Sequence, residues 1–200
     1  MRGTVDVPDQ SRVTLPRRAW LGGALAAAVS GLGARADAHS DAGVVEPPRA
    51  PPEVRLTLED GRPYRLGQTL AGRVTALQII FTRCQATCPI QGALFAQAAR
   101  QLGDQLADAQ WLSLSIDPGH DDPAALRAWM ARMGGHPRWH AARPEPQDLD
   151  PLVDFLKARN RGPDRHTAQV YFFNRAGLLA LRSVDFPPVA EMIRVLRSLR

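Results

Sequence analysis

Two hundred residues, 44% apolar and 22% charged, suit one folded domain with an extension and exclude a disordered or fibrous chain. The formal charge of +5 carries little functional weight, because five of the 25 basic residues lie within residues 1–36 against two of the 20 acidic ones. The remaining arginines are scattered, with no basic run or aromatic-interleaved stripe, so no nucleic-acid partner is expected.

In chain order, Pro16-Arg17-Arg18-Ala19-Trp20 sets two arginines ahead of an uncharged stretch, Leu21 to Leu32. Two small-x-small patterns follow, Ala34-Arg35-Ala36 and Ala36-Asp37-Ala38. Positive, apolar and small residues in that order read as a secretory signal over residues 1–38, and the paired arginines resemble a twin-arginine signal. An uncleaved membrane anchor is the alternative, but a spanning helix needs roughly 20 apolar residues and this run is shorter. The expected location is the periplasm, reached by export, with membrane attachment if the signal is retained. Residues 39–53 contain Pro47, Pro48, Pro51 and Pro52 with few apolar residues and read as an extended linker. Residues 54–200 then read as the folded domain.

Val54 to Leu58 alternates like a strand, and Glu59-Asp60-Gly61 turns it back. Arg73 to Phe81 ends in an apolar run suited to a central strand. Pro89 fits the first turn of a helix, with Ile90, Leu94, Ala98 and Leu102 on its expected apolar face. Trp111 to Ile116 is the next strand. Asp122-Pro123 opens a helix that runs through Met133 to Gly134-Gly135. A third helix is expected over residues 148–158, a strand over 168–174, its hairpin partner over 178–184, and a last helix from Pro187 or Pro188. Alternating elements closed by a hairpin and a helix predict an α/β single domain with a mixed sheet and helices on both faces.

Cys84 and Cys88 are the only cysteines, and they fall between the expected central strand and the helix opened by Pro89. Ligand sites of open sheets lie at that edge. A helix N-terminus, with its unsatisfied N–H groups, favours thiolate over thiol. A structural disulfide would close a loop of about five residues and stabilise by only roughly 2 kcal/mol, which is poor use of such a bond. Positions i and i+4 share one helical face, so both sulfurs can serve one redox or metal centre. Two thiolates leave zinc under-coordinated, whereas soft Cu(I) accepts two thiolates and one nitrogen. Among the five histidines, His39 lies in the linker and His120 beside a helix cap. His136 and His140 read as exposed loop, since Pro137 disfavours helical pairing. His166 immediately precedes a strand.

Three segments carry a resemblance: Phe81 to Pro89, Ser115 to Pro123, and His166 to Gly177. Together they resemble the motifs of the Sco/SenC family, over about residues 54–200, with Asp60 to Tyr64 suiting the family's opening turn. The resemblance implies a thioredoxin-like fold and delivery of copper to the dinuclear copper site of cytochrome c oxidase, or reduction of that site's cysteines. It implies Cys84, Cys88 and His166 as copper ligands, for Cu(I) with Cu(II) as a second candidate state. It places Asp117 and Asp121 in the acidic segment near the site, while Asp122 is explained as a cap. One departure is Arg165, directly before the histidine, where family members usually carry an aspartate. A cation there disfavours added positive charge, which implies weaker copper binding or a tilt toward redox work.

The expected function is therefore a periplasmic copper metallochaperone, with the copper-site subunit of cytochrome c oxidase and a periplasmic thiol reductant as partners, acting as a monomer. The alternative is a thiol–disulfide reductase without obligatory metal, with Cys84 attacking and Cys88 resolving.

Overall fold

A computed structural model describes residues 42–159 and 167–200. The expected export signal and the ligand candidate His166 lie outside the described residues. The elements in chain order are β1 (Gly43–Arg49), β2 (Arg55–Leu58), β3 (Pro63–Arg65), α1 (Leu66–Leu70), β4 (Val74–Ile80), α2 (Thr87–Leu102), β5 (Ala109–Ser115), α3 (Pro123–Met133), β6 (Trp139–Pro144), α4 (Pro146–Leu156), β7 (Val170–Phe173), β8 (Leu179–Arg182) and α5 (Val189–Ser198).

Among the described residues the strands form one sheet in the order β1-β8-β7-β4-β5-β6-β2-β3. The β4–β5 and β5–β6 pairs are parallel and the other pairs antiparallel, which makes the sheet mixed as expected. Central β4 is buried along its whole length and feeds both cores. Val74, Ala76 and Ile80 join α2, α3 and α5 on one face, while Leu77 and Ile79 join α1 and α4 on the other. That alternation follows from the two-residue side-chain period of a strand. Phe95 of α2 meets Trp111 of β5 edge-on at 5.1 Å, and Trp129 of α3 meets Trp139 of β6 at 5.7 Å, also edge-on. These aromatic contacts seat both helices on the sheet.

The cap readings hold. Asp122 accepts a hydrogen bond from the Ala125 N–H at 2.7 Å, Pro123 opens α3, and Gly134 ends it in the left-handed region at φ 91°.

Four local expectations are corrected. Residues 43–49, read as linker, form edge strand β1 against β8, and Val45 is buried in the core beneath. An edge strand pairs on one side only, and the register shift between Val44 and Arg49 accommodates Pro47 and Pro48, so proline content did not forbid it. His140, read as exposed loop, sits on β6, a strand whose Ala and Pro content gives weak β signal but which lies between β5 and β2. Helix α4 begins at Pro146 rather than 148, with Glu145 at its N-cap and Pro146 suited to the first helical position, while Asp148 in the first turn accepts from the Arg55 N–H and Nε at 2.9 and 3.0 Å. The buried face of α2 runs through Cys88, Gln91, Phe95, Ala98, Ala99 and Leu102, and Ile90 is 56% exposed.

Candidate functional site

Cys84 lies in the loop from β4 to α2, and Cys88 in the first turn of α2. The loop's turn is closed by the Cys84 N–H donating to the Phe81 carbonyl at 3.0 Å. Ala86 occupies the N-cap position of α2 but contributes no capping side chain. The Cys84 sulfur takes that place, accepting the Cys88 N–H at 3.4 Å and lying 3.5 Å from the Thr87 hydroxyl. A sulfur seated on orphan N–H groups at a helix start is held as a thiolate site. Cys84 is half-buried and Cys88 fully buried.

The two thiols are electrostatically unequal. Burial by itself raises the Cys84 pKa. Hydrogen bonds from the Cys88 backbone, the Thr87 hydroxyl, the Ala86 backbone and the Cys88 thiol outweigh it, and the net shift is downward. Burial pushes the Cys88 thiol up to about 12; a hydrogen bond from the Phe81 backbone opposes the rise, and the nearby Cys84 adds to it.

The acidic segment after β5 grips the loop just ahead of Cys84. Asp121, fully buried, accepts from the Thr82 N–H at 3.1 Å, the Thr82 hydroxyl at 2.6 Å and the Ser115 hydroxyl at 2.5 Å. Asp117 accepts from Arg83 at 2.8 Å and lies 2.9 Å from His120 Nδ1. Burial raises the Asp117 pKa, but His120 and Arg83 together hold it below the ordinary carboxylate value. The two aspartates therefore act on Thr82 and Arg83, which position Cys84.

Other expectations resolve as follows. His120 pairs with Asp117, and His140 Nδ1 lies 3.1 Å from Glu59, on the strand start away from the thiol end of β4. Among the described residues no group of three or more His, Cys, Asp or Glu is placed to hold a metal ion. The two sulfurs are brought together, and any third ligand from His166 belongs to a residue outside the described ones.

Two contributors were not foreseen. Thr82 bridges to Asp121, and Gln91, fully buried one turn beyond Cys88, donates to the Ala168 and Gln169 carbonyls at 3.0 and 3.1 Å. A polar residue three positions after Cys88, on the same helical face, was the available signal. The assumed face through Ile90 and Leu94 hid it. No helix among the described residues is long and apolar enough to cross a membrane.

Comparison with known proteins gives a consistent picture. Residues 48–199 match the SCO1/SenC family model. A curated relative, the SCO1 protein homolog of Bacillus subtilis (strain 168), is 32% identical over 73 residues, covering 36% of this chain and 37% of that relative. The match thus spans well under half of that relative's length. The structure of Bradyrhizobium japonicum ScoI with copper bound superposes with a TM-score of 0.64 at 18% identity, over 76% of this chain and 99% of that one. BsSco, described with a disulfide switch and as a member of the Sco family of cytochrome c oxidase assembly proteins, superposes with a TM-score of 0.66 at 20% identity, over 76% of this chain and 94% of that one. At these identities the likeness establishes the fold, which is thioredoxin-like.

Proposed function

The chain belongs to the SCO1/SenC family, and from that premise we propose that it handles copper during cytochrome c oxidase assembly, as a periplasmic metallochaperone that carries copper on Cys84, Cys88 and His166. The observation that supports the reading is the placing of two cysteines past the end of β4, the Cys84 sulfur seated on the Cys88 N–H at 3.4 Å. Two soft donors four positions apart, across the start of α2, select Cu(I) over harder ions. A relative of the same fold carries copper in its structure, and another is a member of a family of cytochrome c oxidase assembly proteins. Copper is cargo here. Cys84, the more ionised and more exposed sulfur, is the ligand that an incoming acceptor displaces first, and Cys88, buried behind it, releases last.

His166 supplies the third donor in this reading. Support comes from its neighbour two positions on, Ala168, whose carbonyl is held by Gln91 on the same helix as Cys88. The acceptor is the copper-site subunit of cytochrome c oxidase. A thiol reductant keeps the pair reduced, because a closed disulfide offers no thiolate to the metal. Residues 1–38 export the domain.

The test is an anaerobic Cu(I) titration of the reduced protein against a competing chelator. One tightly held ion is expected, with affinity falling in Cys84→Ser, Cys88→Ser and His166→Ala. Retention of full affinity by His166→Ala sinks the three-ligand site.

The unequal thiols favour a second reading, a thiol–disulfide reductase. Its Cys84 thiolate attacks a substrate disulfide and forms a mixed disulfide. The Cys88 thiol, on losing its proton, closes the Cys84–Cys88 bond and releases the substrate as a dithiol. A Cys88→Ser variant that traps a copper-site peptide, with His166→Ala still active, selects this reading.

A further inference from the structure

We propose that the uncharged surface beside Cys84, made by the exposed face of α2 and the Val184–Phe186 loop, is where the acceptor protein docks to take copper from the thiol pair. The proposal rests on the copper-delivery reading above. It identifies the acceptor by its chemistry: a folded domain whose own cysteine ligands are ringed by uncharged, apolar residues.

Residues 84–99, from the first cysteine through most of α2, contain no charged side chain, in a chain that is 22% charged. No other uncharged run among the described residues is as long. Burial does not account for it, since Gln85, Ala86, Ile90, Ala93 and Gln97 are all exposed. The other long helices differ: α3 exposes Arg127 and Arg132, α4 Asp150 and Asp154, α5 Arg194 and Arg197. An exposed face depleted of charge has the composition of an interface core. Ile90, two positions after Cys88 and 56% exposed, is its large apolar side chain.

The loop before α5 extends this surface independently. Val184 and Phe186 are exposed, and with Ile90 they make three of the five large apolar side chains exposed among the described residues. Phe186 holds a left-handed backbone at φ 50°, a strained state for a bulky residue. Its N–H donates to the Ala168 carbonyl at 3.0 Å, the same oxygen that accepts Gln91 Nε2 at 3.0 Å. Those two bonds hold the Phe186 nitrogen within about 6 Å of the Gln91 amide, one turn along α2 from Cys88. Ala168 lies two residues before Val170, which pairs with Gln78, so the loop meets α2 at the end of β4 that the thiol loop leaves. A hollow of about 310 Å³, lined by Leu181, Val184, Pro187, Pro188 and Val195 together with Glu191, continues the surface beyond Val184. Strain that presents an exposed aromatic side chain belongs to function rather than to packing.

The chemistry of Cys84 says what covers this surface. Its sulfur is half-buried, so an acceptor sulfur reaches the copper only when the acceptor lies against the surrounding surface. A stable partner covers roughly 800 Å² on each side, a disc about 16 Å in radius. Centred on Cys84, that disc takes in the start of α2 and the loop bonded to it. Arg83, held by Asp117, supplies a charged rim. Cu(I) passes without change of oxidation state. Each Cu–S bond to this chain is replaced by one to the acceptor, and the released thiolate takes the proton that the acceptor thiol gives up.

The test compares Ile90→Gln and Phe186→Asn with the native chain, all full length, reduced, anaerobic and loaded with Cu(I). Both replacements are neutral and leave the charge near the sulfurs unchanged, and asparagine tolerates a left-handed backbone. Val184→Ser replaces Phe186→Asn if thermal unfolding shows that variant unfolded. The probe is the soluble copper-site domain of cytochrome c oxidase, empty and with its cysteines reduced, and transfer is read as copper content after the two proteins are separated. A small chromogenic chelator, which needs no docking surface, is the parallel acceptor. Each variant is expected to slow transfer to the domain roughly 10-fold, while the chelator removes copper at the native rate and affinity. Undiminished transfer to the domain overturns the proposal. So does equal slowing toward domain and chelator, which would place the effect at the copper site. Sedimentation showing a native dimer that Ile90→Gln dissolves would assign the face to a second copy of this chain and also overturn it. A native chain that holds no Cu(I) sinks the copper reading itself and this proposal with it, a result seen before any variant is compared.

Discussion

The inequality of the two thiols predicts which one reacts first and by how much. At pH 8 a thiol with a pKa of about 12 is ionised to roughly one part in 10,000, about 1,000-fold less than an ordinary thiol. The more basic thiolate is intrinsically the better nucleophile, and a Brønsted slope of about 0.4–0.5 returns roughly 20-fold of that to Cys88. Cys88 is thus about 50-fold less reactive than an ordinary thiol before its complete burial is counted, while Cys84 is shifted the other way, toward more thiolate than an ordinary thiol carries. The assay is pulse alkylation of the reduced protein with limiting iodoacetamide from pH 6 to 10, with the first site of attack read by peptide mass spectrometry. Cys84 should carry nearly all first hits, with a midpoint below 9. Thr87→Ala, which removes the hydroxyl 3.5 Å from Cys84, should move that midpoint up. Comparable labelling of Cys88 at pH 8, or a Cys84 midpoint above 9, would refute the electrostatic account of the loop.

Two further outcomes test the scaffold around the thiols. Asp121→Ala removes the buried acceptor of the Thr82 N–H and of two hydroxyls, and should cost about 3 kcal/mol in denaturant unfolding while raising the alkylation rate of Cys88; a cost below about 1 kcal/mol would show that the carboxylate does not hold the loop. Gly92 lets α2 approach α3, since a Cβ there would lie 2.5 Å from Met133 Sδ and 3.2 Å from the Trp129 ring, so Gly92→Val should destabilise by roughly 2 kcal/mol. An unchanged unfolding midpoint for that variant would mean the two helices are not in close contact.

Much of this protein was legible where neighbouring residues decide the outcome. The Asp122-Pro123 start and Gly134 stop of α3, the apolar run of β4 and the position of the thiols at its end are local matters of capping, periodicity and backbone freedom. The motif resemblance likewise pointed to a family that the comparison over residues 48–199 establishes. Less was legible where the chain meets itself at long range. Proline content argued against a strand at residues 43–49, yet the open edge of β8 captured them. Residues 139–144 lack a strong strand signal, yet they lie between β5 and β2.

The amino-acid order alone determined that two thiols lie together at a strand-to-helix junction, because five consecutive positions suffice to put them there. Only the tertiary structure decided that the thiols are unequal, that Asp117 and Asp121 grip Thr82 and Arg83 rather than the sulfurs, and that Gln91 ties the thiol helix to residues 168 and 169. Burial and hydrogen-bond partners come from segments up to 78 positions apart, and those are set by how the whole sheet closes over its core.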